Sequence, residues 1–280
     1  MNTEPATPPP RRKWHLQRWL LLLAASPLAY AGWTQYTFRS AIEEAKALGW
    51  TVDYTYPIEV VQKNWRAIFQ IGTWTDGVVS VNVPTGEQFE QHHDIVYRLN
   101  PRVLEIEKAQ PLRDLSALKR STRLERLGIS SGSNLTNVDA LSNCTALNDV
   151  SLWNCSALTD LAGLTNNTAL ETLSLTGGKG LTNVDALKSL PALKILWLNG
   201  CTGLTNVAAL KNLTALEEVN LVNCTKLTNV DALKNLPALQ LVHLSGCTGL
   251  TKESIEALKA ALPNTTILTD KPPAPKPPNP

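Results

Sequence analysis

The chain has little of what catalysis and nucleic-acid binding are built from. Histidine is scarce: His15, His92, His93 and His243 are all there is among 280 residues. His92 and His93 are adjacent, so on a helix they point apart and cannot share a metal through one face. The sequence carries no glycine-rich phosphate loop and no serine elbow. A surplus of positive charge is also missing. Lys and Arg number 26 against 24 Asp and Glu, a net of +2. Arg11, Arg12, Lys13 and Arg18 against Glu4 put +3 into residues 1–38, which leaves the rest of the chain at −1. A neutral body cannot neutralise a run of phosphates, which excludes nucleic acid as a partner. Charged residues are 18%, low but too many for a polytopic membrane protein, and 43% apolar residues suffice for a large core.

Charge is absent altogether between Arg18 and Arg39. The stretch 19–38, Trp19 to Phe38, would span about 30 Å as a helix, enough for one membrane pass, with Trp19, Trp33 and Tyr36 placed as interfacial anchors. Residues 1–18, with Arg11, Arg12 and Lys13, form a basic tail that stays in the cytoplasm, so everything after Phe38 is exported. The same stretch also reads as a signal peptide, with Leu20 to Leu23 as its apolar centre and Ala29-Tyr30-Ala31 as a small-x-small cleavage site. On that alternative the protein is secreted or periplasmic.

What the sequence has in abundance is a repeat. Leu112, Leu135, Leu158, Leu181, Leu204, Leu227 and Leu250 follow one another at intervals of 23 residues. Each unit carries two periods. Its first half, as in Leu181-Thr182-Asn183-Val184-Asp185-Ala186-Leu187, is apolar every third residue and predicts a 3₁₀-like or tightly wound turn. The third position supplies Asp114, Asn137, Asp160, Asn183, Asn206 and Asn229, side chains that cap a helical start by accepting a backbone N–H bond. Its second half, as in Leu193-Lys194-Ile195-Leu196-Trp197-Leu198, ends in alternation, the mark of a short strand with one face inward. A single coil cannot bury its leucines. Neighbouring coils therefore stack into an α/β solenoid, an arc with a parallel sheet on its concave face and short helices or 3₁₀ turns on its convex face.

The pattern in Leu147-Asn148-Asp149-Val150-Ser151-Leu152-Trp153-Asn154-Cys155 resembles the leucine-rich repeat, in the short bacterial class seen in internalin-like proteins. The resemblance implies the fold and is nearly silent on function. It runs over 78–270. Val78, Val81 and Val83, then Phe89, Ile95, Leu104 and Ile106, extend the phase backwards, and Leu250, Ile255, Leu258, Leu262 and Ile267 read as a helix and last strand that cap the far end. Residues 39–77 read as an α/β cap: an amphipathic helix over Phe38 to Leu48, a strand at Thr51 to Tyr56 and a second helix from Pro57 towards Phe69. Trp50, Trp65 and Trp74 are apolar plugs there rather than a site. Residues 271–280, six of them proline, form an extended tether or spacer.

Cys155, Cys201, Cys224 and Cys247 share one repeat position and so stand in a column. A column spreads ligands along a line at about 4.8 Å per coil instead of converging on a zinc ion. Parallel side chains at that spacing are also farther apart than disulfide Cβ atoms, so small buried thiols are the better reading. Cys144 makes the number odd. Asp139, Asp185 and Asp231 fall on alternate coils, about 9.6 Å apart, too far to share a proton or an ion. No catalytic residue, cofactor or metal ligand is expected.

Residues alternating with the buried strand positions face solvent on the concave sheet, and there the repeats diverge. Ile195, Trp197, Val222, Leu241 and His243 should form one apolar patch, with Asn199 and Asn220 among them and Trp153 two coils away. Exposed tryptophan in a contiguous apolar patch marks a binding surface. The expected function is a non-catalytic interaction module, tethered at a membrane, that binds a protein or an envelope polymer on its concave face. The alternative is an envelope scaffold or spacer whose concave face is idle.

Overall fold

The computed structural model describes residues 38–54 and 78–270. The candidate membrane span, the stretch Pro57 to Phe69, Trp65, Trp74 and the proline-rich tail lie outside them, apart from Phe38 at the end of the span. Among the described residues no helix is long and apolar enough to cross a membrane.

Among the described residues ten strands form one sheet in chain order: β1 (Thr51–Tyr54), β2 (Val78–Val83), β3 (Val103–Ile106), β4 (Arg126–Ser130), β5 (Asp149–Trp153), β6 (Thr172–Ser174), β7 (Ile195–Trp197), β8 (Glu218–Asn220), β9 (Leu241–His243) and β10 (Thr266–Leu268). All pairings from β2 onward are parallel, and β1 closes the N-terminal edge antiparallel to β2. Register follows the 23-residue phase: Val81, Leu104, Leu127, Val150, Leu173, Leu196, Val219 and Val242 stand in one line across the sheet. All of them are buried. A one-residue slip would turn this whole line to solvent, so burial of one face fixes the pairing.

The convex side is made of short 3₁₀ segments, such as Asp139–Asn143, Asp185–Ser189 and Asp231–Leu233. Each is entered through an Asx turn whose Asn or Asp lies one residue ahead of the N-cap, and the N-caps themselves, Leu115, Val138, Leu161, Val184, Val207 and Val230, make no side-chain cap bond. Asp114, Asn137, Asp160, Asn183, Asn206 and Asn229 each accept, through Oδ1, the backbone N–H two residues on, at 2.7 to 3.4 Å. Asn229→Ala should therefore lower stability by about 1 kcal/mol, read as a drop in the urea midpoint without change of slope. No change at all would mean that the 2.8 Å bond to Asp231 N adds nothing.

Each coil also turns sharply after its strand. Ser131, Asn154, Gly177, Gly200, Asn223 and Gly246 occupy the same repeat position, and all have left-handed backbone with φ from 56° to 76°. Glycine and asparagine recur there because they adopt this conformation at little steric cost.

Both ends of the core are covered. At the N-terminus α1 (38–47) buries Ala41, Ile42 and Ala45, and Trp50 and Val52 follow it into the same core. α2 (Gly86–Leu99), a helix kinked at His92, replaces the 3₁₀ turn of the later coils and buries Phe89, Ile95, Val96 and Leu99. An ion pair between Arg98 and Glu44 ties α2 to α1. Hydrogen bonds from Arg98 and then Ser40 hold the Glu44 carboxyl down at about 2. At the C-terminus α3 (Lys252–Ala261), capped by the Thr251 hydroxyl, buries Leu258 before β10.

Candidate binding surface on the concave sheet

Three rows of side chains cross the concave face. The first holds Arg126, Asp149, Thr172, Ile195, Glu218 and Leu241, the second Gly128, Ser151, Ser174, Trp197, Asn220 and His243, both in direct strand register. The third begins with Ser130 and Trp153 and continues through Thr176, Asn199, Val222 and Ser245, whose carbonyls accept backbone N–H groups from the coil before. The first two rows are ionic on β3 to β5, whereas apolar side chains gather on β7 to β10 and, in the third row, at Trp153 on β5; these together are the apolar half.

In the ionic half Arg126 Nη2 pairs with Asp149 Oδ2 at 2.9 Å. Gly128 should face solvent by alternation, yet it is buried, because the Glu105 side chain lies over it. A Cβ at Gly128 would stand 1.6 Å from Glu105 Oε2. Burial raises the Glu105 carboxyl above its ordinary value, with Asp149 and Glu107 adding to the rise and Arg126 opposing it.

In the apolar half Ile195 and Leu241 flank Glu218, and Trp197 and His243 flank Asn220. Ile195, Trp197, Asn199, Asn220, Val222, Leu241 and His243 are half-buried, whereas Trp153 is 47% exposed. Both tryptophans are held by their edges. Trp197 Nε1 donates to Glu218 Oε1 at 2.8 Å, and Trp153 Nε1 donates to Ser174 Oγ at 3.0 Å. Each ring thus leans over the following coil. The lean brings Trp153 to Ser174, the strand partner of Trp197, and narrows the separation that linear spacing assigns to the two rings. Ser174, nominally a solvent-facing position, is consequently fully buried. From it a polar chain runs through Thr176 Oγ1 to Asn199 Oδ1, at 3.2 and 2.8 Å. Rings fixed this way lose less freedom when a ligand covers them, which favours binding.

Leu268 belongs to this surface and spacing misses it. It pairs with His243 on β10 and is 42% exposed. The offset between Leu268 and His243 is two residues longer than the repeat, because α3 is longer than the turns it replaces, so the 23-residue phase overlooks it.

The cysteine column lies inside the solenoid. Cys201, Cys224 and Cys247 each donate through Sγ to a carbonyl of the preceding coil, those of Leu175, Leu198 and Leu221, at 3.3, 3.1 and 2.9 Å. Cys144 does the same to Leu118 O at 3.4 Å. All five thiols are unpaired and buried. Burial pushes Cys155 and Cys201 up to about 12 and Cys144 and Cys247 up to about 11, and raises Cys224 as well. Asp139, Asp185 and Asp231 stand exposed on the convex side, each in the first turn of its 3₁₀ segment. Among the described residues no three His, Cys, Asp or Glu side chains are grouped to hold a metal ion.

No protein-family model and no curated protein matches the chain. Solved structures do. The leucine-rich repeat domain of the type III effector XopL aligns with a TM-score of 0.52 at 20% identity, over 96% of this chain and 98% of that one. Internalin C2 of Listeria monocytogenes aligns at 0.43 and 19% identity, over 64% of this chain and 84% of that one. The functional domain of InlJ from the same organism, described as including a cysteine ladder, aligns at 0.43 and 24% identity over 54% of this chain, which spans about 33% of that domain. Identities this low speak for the fold alone. Ten strands in unbroken order, 3₁₀ turns opposite them and the full-length alignment with the XopL domain together make this chain a leucine-rich repeat solenoid.

Proposed function

We propose that the protein is a non-catalytic binding module that takes a protein or envelope polymer on the apolar half of its concave sheet. One observation carries the reading: Trp153 and Trp197 lie edge-bonded on the same face as Ile195, Val222, Leu241, His243 and Leu268. Apolar surface of this kind costs free energy in water and is retained where a partner covers it. Large aromatic side chains in such patches supply most of the binding energy of an interface. The uncharged stretch 19–38 after a basic segment supports tethering at a membrane with the repeats on the far side. The expected site is Trp153, Ile195, Trp197, Asn199, Asn220, Val222, Leu241 and His243, with Leu268 added.

The test is crosslinking capture from the native envelope with the full chain, beside a Trp153→Ala/Trp197→Ala/Leu241→Ala chain shown by circular dichroism to be folded. Loss of each hot-spot side chain costs about 2 kcal/mol or more, roughly 30-fold in affinity, so the triple variant should lose the partner. Equal capture by both chains, or by neither, would overturn the reading and favour a scaffold with an idle concave face.

A further inference from the structure

We propose that the apolar half of the concave sheet is a docking face for the chain's own proline-rich tail, residues 271–280. The inference rests on the concave face being a binding surface, and makes the tail the occupant that an outside partner must displace.

The point of departure favours it. β10 ends at Leu268 beside His243, and Asp270 Oδ2 then accepts the Gly246 N–H at 2.9 Å. That bond holds the departing chain at the rim where Val222, Asn199 and Trp153 form the third row. The length fits as well. A polyproline II helix rises about 3.1 Å per residue, so ten residues reach about 31 Å. The five strand spacings from β10 back to β5 amount to about 24 Å. The tail can therefore cross Trp197 on β7 and arrive at Trp153 on β5.

The chemistry is complementary. Pro272 to Pro275 and Pro275 to Pro278 are two P-x-x-P frames, and such segments dock into aromatic-lined grooves because they are already ordered. The two indoles are bonded through their edges, to Ser174 and Glu218, and Trp153 is 47% exposed and Trp197 half-buried, so both present ring surface to a proline-rich segment. From β5 to β10 the three rows carry Asp149, Glu218 and Asp270 and no Lys or Arg, whereas the tail carries Lys271 and Lys276 and no acidic residue. Tethering raises the local concentration of the tail to about the millimolar range, so a weak site suffices and its own chain outcompetes a second copy.

The experiment places a nitroxide on Ala274→Cys in the full chain, in detergent, with ¹⁵N-labelled tryptophan. The native thiols are buried and stay protonated at neutral pH, so the label goes to the new cysteine. Docking broadens the indole N–H signals of Trp153 and Trp197 and leaves that of Trp50, in the N-terminal cap, sharp. Adding Lys271→Glu/Lys276→Glu restores both signals and raises partner capture several-fold. Sharp Trp153 and Trp197 signals overturn the proposal, as does equal broadening in a label-free ¹⁵N chain mixed with a nitroxide-bearing copy that lacks ¹⁵N, which would assign the face to a second molecule. Broadening with no partner captured by any variant leaves the docking standing and removes the binding-module reading. Patch-dependent capture without broadening does the reverse.

Discussion

Unfolding free energy is expected to fall steeply as pH rises above about 8.5, the ordinary value for a cysteine thiol. Five thiols are buried in the folded chain. Their folded-state values are raised, to about 11 or 12 for Cys144, Cys155, Cys201 and Cys247. Below about 8.5 both states keep their protons and the solenoid has its full stability. Above that the unfolded chain releases protons and the folded chain does not, so each thiol withdraws about 1.4 kcal/mol per pH unit until its own folded value is approached. Together the five withdraw on the order of 7 kcal/mol by pH 9.5, comparable with the whole stability of a typical domain. Urea unfolding at pH 7.5, 8.5 and 9.5 measures it. In a Cys201→Ala/Cys224→Ala chain the pH slope should shrink by about two-fifths, since two of the five sites are gone. An unchanged slope would assign the alkaline loss to other groups.

The second large effect separates the two faces of one strand. Leu196 is fully buried between Leu173 and Val219, whereas its neighbour Ile195 sits half-buried on the concave side. Leu196→Ala removes buried methyl groups and leaves a cavity whose walls are themselves stacked coils. Its cost should be about 3 kcal/mol, within the ~2–5 kcal/mol range of such truncations. Ile195→Ala should cost under about 1 kcal/mol, because less of its surface leaves water on folding. Denaturant unfolding of the two variants decides the matter. Similar losses from both would mean that Ile195 is a core residue, which would remove it from the binding surface.

Much of this was legible in residues because the solenoid is local. Contacts in each coil repeat those of the coil before, so a leucine at a given phase has the same neighbours everywhere. The strand lines and the six Asn or Asp side chains that bond the N–H two residues on follow from that phase. The thiol column is legible for the same reason, and its burial follows from facing inward after each strand. The left-handed turns at Asn154, Gly177, Gly200, Asn223 and Gly246 left a signal, the recurrence of Asn and Gly at one position.

What the phase could not carry lies where one coil differs from the next. Alternation puts Gly128 and Ser174 on the solvent side, and both are buried because Glu105 folds over the one and the Trp153 indole over the other. Leu268 joins the patch only because β10 pairs with β9 at a longer offset than the repeat. The coil, its inward leucines and the identity of the residues on the concave rows can all be read from the order of residues, because periodic burial depends on residue type. How the rings of Trp153 and Trp197 lie, which polar groups hold their edges, and that the apolar surface runs on to β10 emerge from the packed coils, because side-chain direction depends on the neighbouring coil across about 4.8 Å of sheet.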